Sequence, residues 1–171
     1  MKKLLSFLVV ACLSMVCHLS YAQSKTTTII IFRHAEKDTS KAGSQMMQSD
    51  PDLSAAGKLR AQNIVSLLDG TTVDAVYSTN YIRTKATVTP LAEKYKLQVQ
   101  LYDPRNQKAF ADELKGMEGK TIVVAGHSNT VPRLVNLLAG TSHPDLDESV
   151  YDQYYIVTIK EGVASVEIKK Y

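Results

Sequence analysis

Thr26-Thr27-Thr28-Ile29-Ile30-Ile31-Phe32 is an unbroken β-branched and aromatic run that stops at Arg33-His34. With no polar alternation, it has the pattern of a strand covered on both faces. A second such run, Thr121 to Ala125 (TIVVA), ends the same way at Gly126-His127. Strands of this kind belong to parallel sheets whose faces are covered by helices, so these two runs decide the fold class.

The intervening sequence supplies the helices. Leu53-Ser54 opens one that runs to about Asp69, with Ser54 as N-cap, Ile64, Leu67 and Leu68 on one stripe, and Gly70 as the stop. Val73 to Tyr77 reads as a short strand, followed by a helix from about Tyr81 to Tyr95 in which Pro90 predicts a kink or an early break. Leu97 to Tyr102 alternates as a half-buried strand ended by Asp103-Pro104. Gln107 to Met117 and Val131 to Leu138 are further helices, and Tyr154–Ile159 with Val163–Ile168 form a hairpin around Lys160-Glu161-Gly162. Strands alternating with helices predict an α/β fold, a three-layer sandwich with a mostly parallel sheet and an antiparallel edge hairpin. Asp38 to Asp52 is a long Ser, Gly, Asp and Gln-rich loop of the kind that often forms a lid.

The first residues carry Lys2 and Lys3, an uncharged run from Leu4 to about Val16, and Ser20-Tyr21-Ala22. This is the pattern of a cleaved secretory signal peptide, and the run is too short to span a bilayer, which takes roughly 20 apolar residues. Cleavage after Ala22 leaves residues 23–171 as a single domain in the periplasm or secreted, with no membrane span. It removes both cysteines, Cys12 and Cys17, so the mature chain has no thiol for catalysis, disulfides or metal binding. The formal charge of +3 falls to +1 once Lys2 and Lys3 are gone, and no basic stripe suggests nucleic acid.

Four chemical groups follow four strand ends: Arg33-His34 after TTTIIIF, Arg83 after VDAVY and its turn, Asp103 after LQVQLY, and His127 after TIVVAG. Ligands of open α/β sheets bind at the carboxyl ends of the strands, so these groups can converge. A single histidine at such a place is more often structural. Two histidines with arginines near both strand systems describe a phosphate site. Arginine offers a planar fork for phosphoryl oxygens, which suits Arg33 and Arg83. Their charge also disfavours protonation of His34, whose unperturbed pKa is near ~6.5, and keeps its lone pair for attack on phosphorus. His127 would donate to a nonbridging oxygen. Gly126 permits close approach of backbone to ligand. Ser128 or Asn129 is placed to cap the following helix and aim its amides at the anion; for Asn129 a simple cap and a phosphate contact carry equal weight.

These motifs, RHAEK (Arg33 to Lys37), STNYIRTKAT (Ser78 to Thr87) and GHSN (Gly126 to Asn129), supported by LSAAG (Leu53 to Gly57), resemble the histidine phosphatase superfamily, also called phosphoglycerate-mutase-like. The similarity in order and spacing runs from Thr27 to about Gly140. The resemblance implies a phosphatase that works through a phosphohistidine on His34, with Arg33, Arg83 and His127 completing the pocket and no cofactor. It also implies a general acid after a strand, for which Asp103 is the choice and Glu36, Asp112 and Glu113 are the alternatives; Asp103 before Pro104 is equally a turn former. Glu36, Lys37 and His143 are candidate substrate contacts, whereas Tyr151, Tyr154 and Tyr155 read as edge-strand packing. Little cap is expected beyond the Asp38–Asp52 loop, so the implied substrates are a phosphorylated small molecule, a glycan or a phosphoprotein. Two rival readings remain: a phosphate-binding module without turnover, and a metal hydrolase built on His34, Glu36 and His127.

Overall fold

The structure, a computed structural model, describes residues 25–40 and 50–171. The leader read at residues 1–22, with Cys12 and Cys17, and the centre of the long loop at 41–49 lie outside the described residues. Along the chain come β1 (Thr26–Arg33), α1 (Ala55–Leu67), β2 (Ala75–Ser78), α2 (Ile82–Lys94), β3 (Val99–Leu101), α3 (Gln107–Gly116), β4 (Thr121–Gly126), α4 (Thr130–Ala139), β5 (Gln153–Lys160) and β6 (Val163–Lys170).

The two apolar runs lie side by side in one six-stranded sheet of order β3-β2-β4-β1-β5-β6. β1 pairs in parallel with β4, and β2 with both β4 and β3. β5 and β6 continue the sheet antiparallel. Side chains of β1 alternate between two cores. Ile29 and Ile31 face Phe110, Leu114, Leu134 and Leu138 of α3 and α4, while Ile30 and Phe32 face Ile64, Val88 and Leu91 of α1 and α2. With a core on each side, neither face has room for a polar alternation, which is why the sequence shows none.

Local chemistry sets the element ends. Ser54 caps α1, its Oγ accepting the Gly57 N–H at 3.1 Å. The β5–β6 turn has Glu161 at φ 52° and Gly162 at φ 78°, the two positive values that a two-residue type I′ hairpin turn demands. Two sequence expectations are corrected: an early break of α2 at Pro90 and the length of β3. α2 runs unbroken through Pro90 to Lys94: Val88 and Leu91 are fully buried, and at about 1.5–3 kcal/mol each their burial offsets the ~3 kcal/mol that an internal proline costs. β3 is only three residues, Val99–Leu101, because it pairs with β2 alone and Leu101 is exposed.

The chain leaving β1 is pinned to α1. Ser54 N–H donates to the Glu36 carbonyl at 2.9 Å, Asp38 N–H donates to Asp52 O at 2.8 Å, and a Cβ on Gly57 would lie 2.2 Å from the Glu36 carbonyl oxygen. Glycine to alanine within a helix ordinarily gains about 0.5–1 kcal/mol. Here backbone stands in the way, so Gly57→Ala should lose more than about 1 kcal/mol in urea unfolding, as overpacked sites do. A variant as stable as the parent, or more so, would contradict this packing.

Candidate active site

The β1–β4 register sets Arg33 opposite Gly126, and His34 N–H donates to Gly126 O at 2.8 Å. The next residue on each strand is therefore a histidine, and the rings of His34 and His127 lie 5.4 Å apart between centroids, edge to face. Both line an open cleft at the carboxyl ends of the strands, together with Arg83 and Lys37.

His34 is almost fully buried. Its Nδ1 lies 2.8 Å from the Ala35 carbonyl. A carbonyl only accepts, so Nδ1 carries the proton and Nε2 keeps a lone pair in the neutral ring. Burial lowers the pKa of His34 to about 4, against a raising contribution from that hydrogen bond, with Arg83, His127 and Arg33 lowering it further. His127 is also brought down to about 4, by burial first and then by Arg83 and Arg33, with Asp50 and Glu148 opposing. The arginines act in the expected direction, but desolvation is the larger cause for both rings.

Arg33 is 1% exposed, and its fork is spent elsewhere than expected. Nη1 lies within 2.9–3.1 Å of the carbonyls of Asp147, Glu148 and Val150, and Nη2 donates to Glu148 Oε2 at 2.8 Å. Its guanidinium also stacks on Tyr151 at 4.1 Å, and that ring stands 6.0 Å from His34. Arg83 Nη1 donates to Asp50 Oδ1 at 3.2 Å, and its guanidinium lies 4.7 Å over Tyr81, which meets His127 edge to face at 4.9 Å. The Nε atoms of Arg33 and Arg83 are buried with no partner among the described residues.

His127 is held from behind. Its Nε2 lies 2.9 Å from Thr79 Oγ1, which donates to Thr84 Oγ1 at 3.0 Å, and both threonines are fully buried. The space above Gly126 is filled by Tyr102 and Thr130 and not by ligand: a Cβ there would meet Tyr102 Oη and Thr130 Oγ1 at 2.9 Å each. Thr130 Oγ1 accepts the His127 N–H at 2.8 Å. Asn129 occupies the N-cap of α4 without a side-chain capping bond, and it is exposed to the cleft. Ser128 caps nothing either; its Oγ donates to Glu148 Oε1 at 2.6 Å.

The carboxylates read as acid candidates are not brought to the histidines. Asp103 is exposed and lies outside the lining of the cleft, where Arg105 donates to it at 3.1 and 3.2 Å. Hydrogen bonds from the Arg105 side chain and backbone hold its carboxyl below the usual range, opposite to what a proton donor near neutrality needs. Burial tends to raise the Glu36 carboxyl, but Arg60, donating at 2.7–3.0 Å, outweighs it and lowers the pKa. With Glu36 so paired, the three-ligand metal centre loses its third member, and no group of three or more His, Cys, Asp or Glu among the described residues is placed to hold a metal ion. Asp112 pairs with Lys108, and Glu113 accepts from Tyr77. Lys37 and His143 do line the cleft. The sequence reading missed Thr79, Tyr81, Tyr151 and Glu148. Tyr81 and Thr79 lie inside the STNYIR segment, so the turn after β2 was the signal available for them. Tyr154 and Tyr155 are core residues on opposite faces of β5 and not edge packing.

The histidine phosphatase superfamily (branch 1) model matches residues 29–105. Phosphoserine phosphatase 1 of Hydrogenobacter thermophilus is 35% identical over 71 residues, 42% of this chain; the match covers 34% of that relative's length. Among solved structures, the alpha-ribazole phosphatase of Shigella flexneri superposes with a TM-score of 0.68 at 15% identity, covering 84% of this chain and 96% of its own. A mycobacterial glucosyl-3-phosphoglycerate phosphatase gives 0.66 at 12%, covering 86% and 99%. The chain is similar to the histidine phosphatase superfamily in the segment from β1 to the loop after β3, and it shares the fold of these phosphatases.

The lowered imidazoles make a pH prediction. The unfolded chain takes up protons near ~6.5 and the folded rings resist until about 4. Stability from these groups is therefore full above ~6.5 and is lost as pH falls toward 4. In an NMR titration of ring-carbon shifts, His34 and His127 should stay neutral at pH 5.5. A midpoint near 6.5 for either ring would contradict the geometry described here.

Proposed function

We propose that this protein is an exported phosphoric monoester hydrolase in which His34 Nε2 accepts the phosphoryl group. The observation that carries the reading is the tautomer of His34: Nδ1–H is tied to the Ala35 carbonyl, and Nε2 is left as the lone pair at a cleft lined by His127 and Arg83. In the first step the Nε2–P bond forms as the P–O bond to the leaving group breaks. In the second, water attacks phosphorus, the N–P bond breaks, and inorganic phosphate leaves with neutral His34 restored. Charge on the transferring oxygens is met by the Arg83 guanidinium; with Thr79 Oγ1 donating to Thr84, the neutral His127 ring spends its one N–H, at Nε2, on Thr79. The unpartnered Nε of Arg83, a residue of the cleft lining, would find an acceptor in a bound phosphate, relieving the roughly 1–3 kcal/mol that a buried unsatisfied donor costs, whereas Arg33 lies outside the lining. His127 lines the cleft beside His34, its ring held by Thr79.

Because the acid candidates lie away from the histidines, leaving groups that need little protonation suit this site best. The name of the Hydrogenobacter relative, phosphoserine phosphatase 1, makes O-phosphoserine the first alkyl substrate to assay. Export rests on the leader at residues 1–22.

Hydrolysis of 4-nitrophenyl phosphate by the purified mature protein tests the proposal. His34→Ala should abolish turnover, and Asp103→Asn should stay within about twofold of the parent, since aryl leaving groups need no proton. More than a few per cent of the parent rate in His34→Ala would overturn the assignment. Tight phosphate binding with no His34-dependent turnover would leave a binding module in its place.

A further inference from the structure

The cleft is far larger than a phosphate needs. At about 1160 Å³, it exceeds the ~300–1,000 Å³ usual for small-ligand pockets. Its inner end holds His34, His127 and Arg83; from there it follows α4, where Asn129, Arg133 and Asn136 all line it. Their spacing of four and then three residues puts them on one stripe of the helix. Arg133 lies three residues into α4 from Thr130, so its backbone stands about 4.5 Å further along the axis at 1.5 Å per residue, and its side chain lines the cleft.

The charges around this outer region are unequally engaged. Arg105, also in the lining, is paired with Asp103. Glu148 is held by Arg33 and Ser128. Arg133 is exposed, and among the described residues no carboxylate, Asp145 included, lies within 4.0 Å of it. Lys37 adds a second cation from the segment after β1. Against these, Asp145 is the acid in the lining without a cation partner among the described residues. An arginine offers two parallel N–H donors to a carboxylate or phosphate.

We propose that the cleft takes phosphomonoesters whose leaving group carries a second negative charge, and that Arg133 grips that charge. This rests on the hydrolase reading of the inner end and adds the substrate class to it. Arg133 is a specificity determinant; it touches the leaving group and takes no part in transfer at phosphorus.

The test uses 4-carboxyphenyl phosphate and 4-carbamoylphenyl phosphate, near-isosteres that differ in the second charge. At low salt the parent should favour the carboxylate by at least about tenfold in kcat/KM, with the preference shrinking as salt rises. Arg133→Gln should bring the two substrates within about twofold by slowing only the carboxylate, with the carbamoyl rate unchanged. No preference in the parent, or equal losses on both substrates in the variant, would overturn the proposal. If neither ester is turned over, the hydrolase reading fails. Calorimetry then decides the anion site separately, with 4-(phosphonomethyl)benzoate against 4-(phosphonomethyl)benzamide: tighter, Arg133-dependent binding of the benzoate supports it, and equal binding overturns it.

Discussion

The parallel register of β1 on β4 is the constraint from which the rest of the site follows. Setting Arg33 opposite Gly126 makes the next residue of each strand a histidine, and it makes both emerge at the same edge of the sheet. A slip by one residue would turn Ile29 and Ile31 toward the wrong core. The two-sided burial that stabilises the sheet therefore also fixes the separation of the rings. The geometry of the site is a by-product of core packing.

Burial then sets the chemistry. Both imidazoles lose most of their water, which is the leading reason that they resist protonation. The neighbouring guanidiniums push in the same direction and supply the positive field that a phosphate dianion requires. Arg33 illustrates the cost of such a group: a charge this deeply buried must be satisfied, and the loop at 147–150 does so with three carbonyls and a carboxylate. Tyr151 covers its face. The loop after α4 thus reaches back to the end of β1 and holds one wall of the cleft.

What the sequence revealed, and what it hid, has one physical cause. TTTIIIF and TIVVA were legible because strands buried on both faces have no freedom in residue type, and the residues after them were legible as site candidates because strand ends converge. Ser54 and Glu161-Gly162 were legible because caps and tight turns are local. Arg33's partners, Tyr151 and Glu148, were not, since they lie more than a hundred residues away, and the carbonyls of Asp147, Glu148 and Val150 that also hold Arg33 leave no mark in sequence. Asp103 was misplaced for the opposite reason: a strand end predicts where the chain emerges, but Arg105, two residues on, takes its carboxylate away from the histidines. Pro90 did not end α2 because helix propensity is local and the burial of Val88 and Leu91 is not.

The central claim is that His34, through Nε2, carries the phosphoryl group between substrate and water. Quenching the purified protein in alkali during turnover of 4-nitrophenyl phosphate, and mapping the phosphoenzyme by mass spectrometry and 31P NMR, tests it directly. The account predicts phosphate on His34, bonded at Nε2. Phosphate at Nδ1 or on His127, or steady turnover with no phosphoenzyme at all, would contradict it.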